Sequence, residues 1–67
     1  MAVELWDDRY GNAIDAFASE EEAYAFVRQT IEARGKQAVA NWALDRMDHR
    51  PLIRGNTLVR RALTVAV

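Results

Sequence analysis

Three aspartates near a predicted turn are the first candidates for chemistry in this sequence. Asp7 and Asp8 end one predicted strand and Asp15 lies in the next, so we expect Asp8 and Asp15 roughly opposite each other. Paired carboxylates can bind a hard cation or share a proton in acid–base catalysis. Both roles need a cleft and supporting groups, and the sequence indicates neither. We therefore expect a solvated strand end, with Arg9 as a local counter-charge, and no metal site.

His49 is the only histidine and the one side chain expected to titrate near neutral pH. It lies in a predicted turn, where Asp45 and Asp48 could orient its ring. A catalytic histidine also needs a nucleophile, and no route connects it to the nearest hydroxyl, that of Thr57. The chain has no Cys, which excludes disulfides and thiolate metal sites, and it has no P-loop, GxGxxG, HExxH or GxSxG motif. We expect no catalytic residue, no cofactor and no enzyme activity.

The charge is unevenly distributed, although the net charge is only -1. Residues 1–34 carry eight acids and three bases, and residues 35–67 carry two acids and six bases. One interpretation is that the two halves attract each other within one fold or across a dimer. The other is a basic face that binds phosphate groups of nucleic acid. The candidate phosphate contacts for that alternative are Arg46, Arg50, Arg54, Arg60 and Arg61.

The length of 67 residues predicts one small domain and a marginal monomer. For a chain of this size, the free energy gained by burying apolar surface nearly equals the conformational entropy lost on ordering the chain. Because disulfides and thiolate metal sites are excluded, oligomerisation is the remaining way to add stability. Trp6 and Trp42 could stack on a ligand, but large aromatic side chains more often anchor a core or a dimer contact. We predict a homodimer or other homo-oligomer with an interface on Trp42, Leu58, Val59 and Leu63.

The first half of the chain predicts a hairpin followed by a helix. Residues 3–18 alternate as two strands around a turn at residues 10–12, with Ile14 and Phe17 on opposite faces of the second strand. Ser19 and Glu22 form a capping box, in which Glu22 is expected to accept the Ser19 N–H. The helix should bury the stripe Ala23, Phe26, Val27, Thr30 and Ile31, and it should end at Gly35.

The second half is less clearly patterned. Residues 36–40 predict a helical turn before a third strand over residues 42–47, and one continuous helix over residues 36–48 is the competing interpretation. A turn at residues 48–51 and a short extended piece at residues 52–54 should follow, and then a helix over residues 57–66. That helix could pack on its own sheet or on a partner. The fold class is therefore α+β: one domain, residues 1–67, as a small two-layer ββα-β(β)-α arrangement with an antiparallel sheet.

Several short strings resemble a group of short uncharacterised bacterial proteins. The strings are Leu5-Trp6-Asp7, then Gly11-Asn12, then Phe17-x-Ser19-Glu20-x-Glu22-Ala23. In that group a Leu-rich third strand and a Gly-led final helix follow, with Ala43-Leu44 and Gly55-x-x-Leu58 as the counterparts here. In shape the chain is also similar to other small ββα modules, including arm-type DNA-binding domains of integrases. Neither resemblance implies an activity or a role for any residue.

These observations favour a non-enzymatic interaction or regulatory protein that acts as a homo-oligomer, with a protein as its possible further partner. The alternative is a small nucleic-acid-binding regulator, or the antitoxin of a toxin–antitoxin pair, that uses the basic C-terminal half. The first residues lack the basic and apolar regions of a secretory signal, and no apolar run is long enough to cross a bilayer. We therefore expect a cytoplasmic protein with no membrane contact.

Overall fold

A hairpin of two antiparallel strands opens the fold, as the sequence predicts. The structure is a computed structural model that describes residues 2–46 and 52–65. Strand β1 spans Val3–Asp7 and strand β2 spans Asn12–Phe17. The turn between them closes with a 2.8 Å hydrogen bond from the Gly11 N–H to the Asp7 carbonyl. Gly11 adopts a φ of 70°, a left-handed conformation that glycine reaches without strain.

A bulge in β2 changes the faces that simple alternation predicts. Leu5 lies opposite Asp15, but the next residue of β1, Trp6, lies opposite Ala13, so Ile14 is the additional residue. Because a bulge resets the alternation of side chains, Ile14 and Phe17 both pack against the core. The prediction that these two side chains lie on opposite faces is wrong for this reason.

Helix α1 spans Glu20–Arg34, and its ends follow from local chemistry. The Ser19 hydroxyl accepts the Glu22 N–H at 3.3 Å, as the capping box requires. The Glu22 carboxylate, however, accepts the N–H of Ala18 at 3.2 Å, one residue before the expected partner. At the other end Gly35, with a φ of 90°, donates its N–H to the Ile31 carbonyl at 2.7 Å.

Removing the N-cap should have a measurable cost. Ser19→Ala deletes the hydroxyl that accepts the Glu22 N–H, so we expect a loss of about 1 kcal/mol in the free energy of unfolding. In a domain of this size that corresponds to a fall of about 4–8 °C in Tm by calorimetry or circular dichroism. Ser19→Thr keeps an acceptor oxygen and serves as the matched control. Equal melting of the alanine and threonine variants would contradict the capping assignment.

The second half completes a four-stranded sheet. A 3₁₀ turn over Lys36–Val39 leads into strand β3, Trp42–Asp45, and strand β4 spans Ile53–Arg54. The strand order is β2-β1-β3-β4, and all neighbouring strands are antiparallel. The turn, the third strand and the short extended piece are confirmed, and the continuous helix over residues 36–48 is wrong. The predicted turn at residues 48–51 lies outside the described residues.

Helix α2, Gly55–Val65, begins two residues earlier than the sequence predicts and follows β4 directly. It packs beside α1 and on β3 and β4, whereas α1 packs on β1 and β2. The two helices therefore form one layer and the sheet the other, which confirms the predicted two-layer α+β fold. The fully buried side chains between the layers include Leu5, Val27, Val39, Leu44 and Leu58.

Candidate functional site

The three candidate aspartates do not form a cluster. Asp7 Oδ1 accepts the Arg9 N–H at 2.9 Å within the turn, and Asp15 Oδ1 accepts the N–H of the following Ala16 at 2.8 Å. Asp8 lies beyond the end of β1, and it is Leu5 that faces Asp15 across the hairpin, so the expected pairing of Asp8 with Asp15 is wrong. Among residues 2–46 and 52–65, no three His, Cys, Asp or Glu side chains come close enough to hold a metal ion.

The candidate arginines are divided between the interior and separate parts of the surface. Arg46 is only 9% exposed, and its Nη1 lies 3.5 Å from Glu20 Oε1 at the start of α1. Arg54 on β4 is exposed and lies 3.6 Å from Asp8 Oδ2. An exposed ion pair of this kind contributes little to stability. The burial of Arg46 removes it from any shared phosphate-binding face.

Arg60 and Arg61 remain exposed on α2. A cleft of about 400 Å³ lies beside Arg60, lined by Lys36, Asn56, Val59, Arg60, Leu63 and Thr64. Its charged lining groups are both basic. Arg50 and His49 lie outside the described residues. Of the five candidate phosphate contacts, two therefore lie exposed on α2, and one of them, Arg60, lines the cleft with Lys36.

Three of the four predicted interface residues are core residues of the monomer. Trp42 is 8% exposed, Leu58 is fully buried and Val59 is 9% exposed. They are buried because α2 packs on its own sheet, one of the two arrangements that the sequence left open. Only Leu63, at 38% exposure, remains available to a partner. An interface centred on the apolar stripe of α2 would require that helix to leave its own sheet.

An open sheet edge is the surface that sequence reasoning missed. Strand β2 lies at one end of the strand order and, within the described residues, pairs only with β1. Four of its six residues are exposed, and it contains no proline or lysine of the kind that protects edge strands. Its only charged residue is Asp15. The strand pattern was visible in the sequence, but its place at the edge depends on the long-range pairing of β1 with β3.

The core is incompletely covered beside this strand. The Phe17 and Phe26 rings lie 5.4 Å apart between centroids, and Phe26 stacks on Trp42 at 6.0 Å. Ile14, Phe17 and Phe26 are only partly buried. A shallow cavity of about 290 Å³ opens next to Phe26, between α1 and the sheet. We call β2 together with Phe26 the β2 margin.

Comparison with known proteins gives no relative: no family model, no curated protein and no solved structure matches this chain. Within the described residues, none of the helices has the length and apolar character needed to cross a bilayer. The functional assignment therefore depends on the surfaces of the chain itself.

Proposed function

We propose that this chain is a non-enzymatic, cytoplasmic interaction or regulatory protein that acts as a homo-oligomer. The observation that supports this proposal is the β2 margin, where an open strand edge adjoins partly exposed core side chains. Unpaired N–H and C=O groups along a strand edge are a template for a further strand. The three aspartates of the hairpin make separate local contacts and do not form the carboxylate pair that acid–base chemistry would use.

The energetics of a small domain favour covering this margin. Apolar surface removed from water contributes roughly 25 cal/mol per Å², and Phe17 and Phe26 are among the largest side chains of this chain. Both are partly exposed in the monomer, so a second copy placed there would complete their burial. A chain of 67 residues without disulfides gains proportionally more from such a contact than a large domain does.

The oligomeric state tests this proposal directly. Light scattering coupled to size exclusion, from low micromolar to several hundred micromolar protein, should give a mass at least twice the monomer value of 7.6 kDa. Because assembly stabilises the folded state by mass action, Tm should also rise with concentration. A 7.6 kDa species at every concentration, with a cooperative transition that does not shift, would refute the proposal.

A second candidate is nucleic-acid binding, and the exposed Arg60 and Arg61, with Lys36 near Arg60, favour it. Neither arginine forms an ion pair with a carboxylate of the described residues. Arg suits phosphate geometry, but a nucleic-acid site also needs several such contacts along one face. With Arg46 buried, the described residues supply few, so we rank this function second.

Duplex DNA titrations distinguish the two functions. We expect no measurable binding at physiological salt, and Arg60→Ala with Arg61→Ala should change the free energy of unfolding by less than about 0.5 kcal/mol per site. If the arginines contact phosphates, affinity should instead fall steeply with salt, by a slope of about -0.9 per contact in log K against log salt. Micromolar binding that disappears in the double variant would favour the second function over the first.

A further inference from the structure

We propose that two copies of this chain pair through antiparallel β2 strands, about a two-fold axis between Ile14 and Asp15. The two four-stranded sheets would become one continuous sheet, with all four helices on the same face. This inference rests on the proposed homo-oligomer and specifies its interface. The reasons lie in the backbone edge, in the register and in the charges of α1.

The backbone of β2 offers an edge that a second β2 can complete. Its inner side pairs with β1 over Asn12–Phe17, and its outer side faces no described element. The Ala16 N–H donates to the carboxylate of the adjacent Asp15, at 2.8 Å, and not to a neighbouring strand. When the two strands pair, the Ala16 N–H donates to a backbone carbonyl of the second copy in place of the Asp15 carboxylate. Antiparallel self-pairing satisfies donors and acceptors equally on both copies.

Charge excludes one register, and the small side chains of Ala13 and Ala16 favour another. A two-fold axis through Asp15 would place two carboxylates directly opposite each other, which destabilises a strand pair. An axis between Ile14 and Asp15 places Asp15 opposite the partner's Ile14 and Ala13 opposite the partner's Ala16. Ala13 and Ala16 are exposed and small, so their side chains allow close approach.

The orientation of α1 makes the same axis favourable for the helices. The Phe17–Phe26 contact places the middle of α1 against β2, so the axis passes near the helix centre. The two α1 helices then lie antiparallel. The acidic first turn, Glu20–Glu22, of one copy lies near the basic last turn, Arg34, of the other. Opposite charges and antiparallel helix dipoles both favour this arrangement. A second copy therefore complements the margin in charge as well as in hydrogen bonding.

Engineered thiols test the strand pairing, because the natural chain has no Cys and every disulfide then reports introduced residues. Ala13→Cys and Ala16→Cys are made separately, mixed in equal amounts and oxidised with glutathione. Directly opposed residues have Cα atoms about 4.5–5.5 Å apart, within the range that a disulfide spans. The mixture should form covalent dimers several times faster than either variant alone. Ala13→Cys mixed with Thr64→Cys, an exposed site on α2, is the matched control.

The outcomes separate this inference from the proposed function. A non-covalent dimer by light scattering, without faster cross-linking of the Ala13→Cys and Ala16→Cys mixture than of the control, would overturn the β2 interface and leave the homo-oligomer standing. A monomer would overturn both. Both sites are exposed, so the variants should fold, and unchanged circular dichroism verifies this. Association of β2 with an extended peptide of another protein, in place of a second copy, would also overturn the inference.

Charge reversal tests the helix pairing independently. Glu22→Arg and Arg34→Glu should each weaken dimerisation by about two- to tenfold, and the double variant should recover the loss because both signs are reversed. Glu22 also accepts the Ala18 N–H, so recovery of the dimer Kd is the informative readout, not Tm. Arg61→Glu on α2 is the control and should leave the Kd unchanged. Failure of the double variant to recover affinity would contradict the antiparallel placement of α1.

Discussion

Leu44→Ala should lower the free energy of unfolding by about 2–5 kcal/mol. Leu44 is fully buried in β3, between Leu5 of β1 and Ile53 of β4, and it faces the helix layer. Truncation leaves a cavity that neither neighbouring strand can close, because both are fixed by hydrogen bonds to β3. A small domain has a total stability of only about 5–15 kcal/mol, so the variant should be partly unfolded at physiological temperature.

Chemical denaturation monitored by tryptophan fluorescence measures this loss. Leu63→Ala makes the same chemical change on α2, where the side chain is 38% exposed, and should cost less than about 1 kcal/mol. Because both variants replace leucine by alanine, the difference between their free energies of unfolding reports the effect of position alone. Similar denaturation midpoints for the two variants would show that Leu44 is not a core residue.

Phe26→Ala should cost about 2–4 kcal/mol, somewhat less than the truncation of a fully buried phenylalanine. Its ring joins three elements, since it lies against Phe17 of β2 and stacks on Trp42 of β3 at 6.0 Å. Removing it separates α1 from the sheet edge. We expect a lower denaturant midpoint and a change in the near-ultraviolet signal of Trp42.

An exposed aromatic residue supplies the control for this variant. Tyr10 lies in the hairpin turn at 66% exposure with the Arg9 guanidinium over its ring, so Tyr10→Ala should leave stability within about 0.5 kcal/mol. Phe26→Leu should recover part of the loss by restoring apolar volume. If Phe26→Ala and the parent protein have the same Tm, Phe26 does not hold α1 against the hairpin.

The parts of the fold that the sequence predicts are those fixed by neighbours along the chain. Ser19 and Gly35 mark the ends of α1 because their interactions reach only three or four residues. The hairpin turn is equally local, since it depends on the residues around Gly11. The buried face of α1 differs from the prediction: Tyr24, outside the predicted stripe, is buried at 5% exposure, and Phe26, Thr30 and Ile31 of that stripe are only partly buried. Tyr24 belongs to the buried core cluster, and membership of that cluster is a tertiary property.

The candidate site depends on contacts between residues that are far apart in the sequence, and local sequence patterns do not predict such contacts. Arg46 resembles any surface arginine until Glu20, 26 residues earlier, is brought beside it. Leu58 and Val59 resemble an unpartnered helix face until α2 is known to pack on β3 and β4. The open edge of β2 has the same origin. A strand becomes an edge only through the pairing of the other strands.

The central position of β1 determines the order in which this fold can form during synthesis. The hairpin and α1 lie within residues 3–34 and leave the ribosome first, whereas β3 begins at Trp42. Until β3 is available, the nascent hairpin has two open edges, and Leu5 has no cross-strand neighbour on one side. Completion requires β3 to join β1 across the intervening residues 8–41, a slow non-local step. The time taken to translate residues 35–45 therefore sets how long the hairpin and α1 remain without β3.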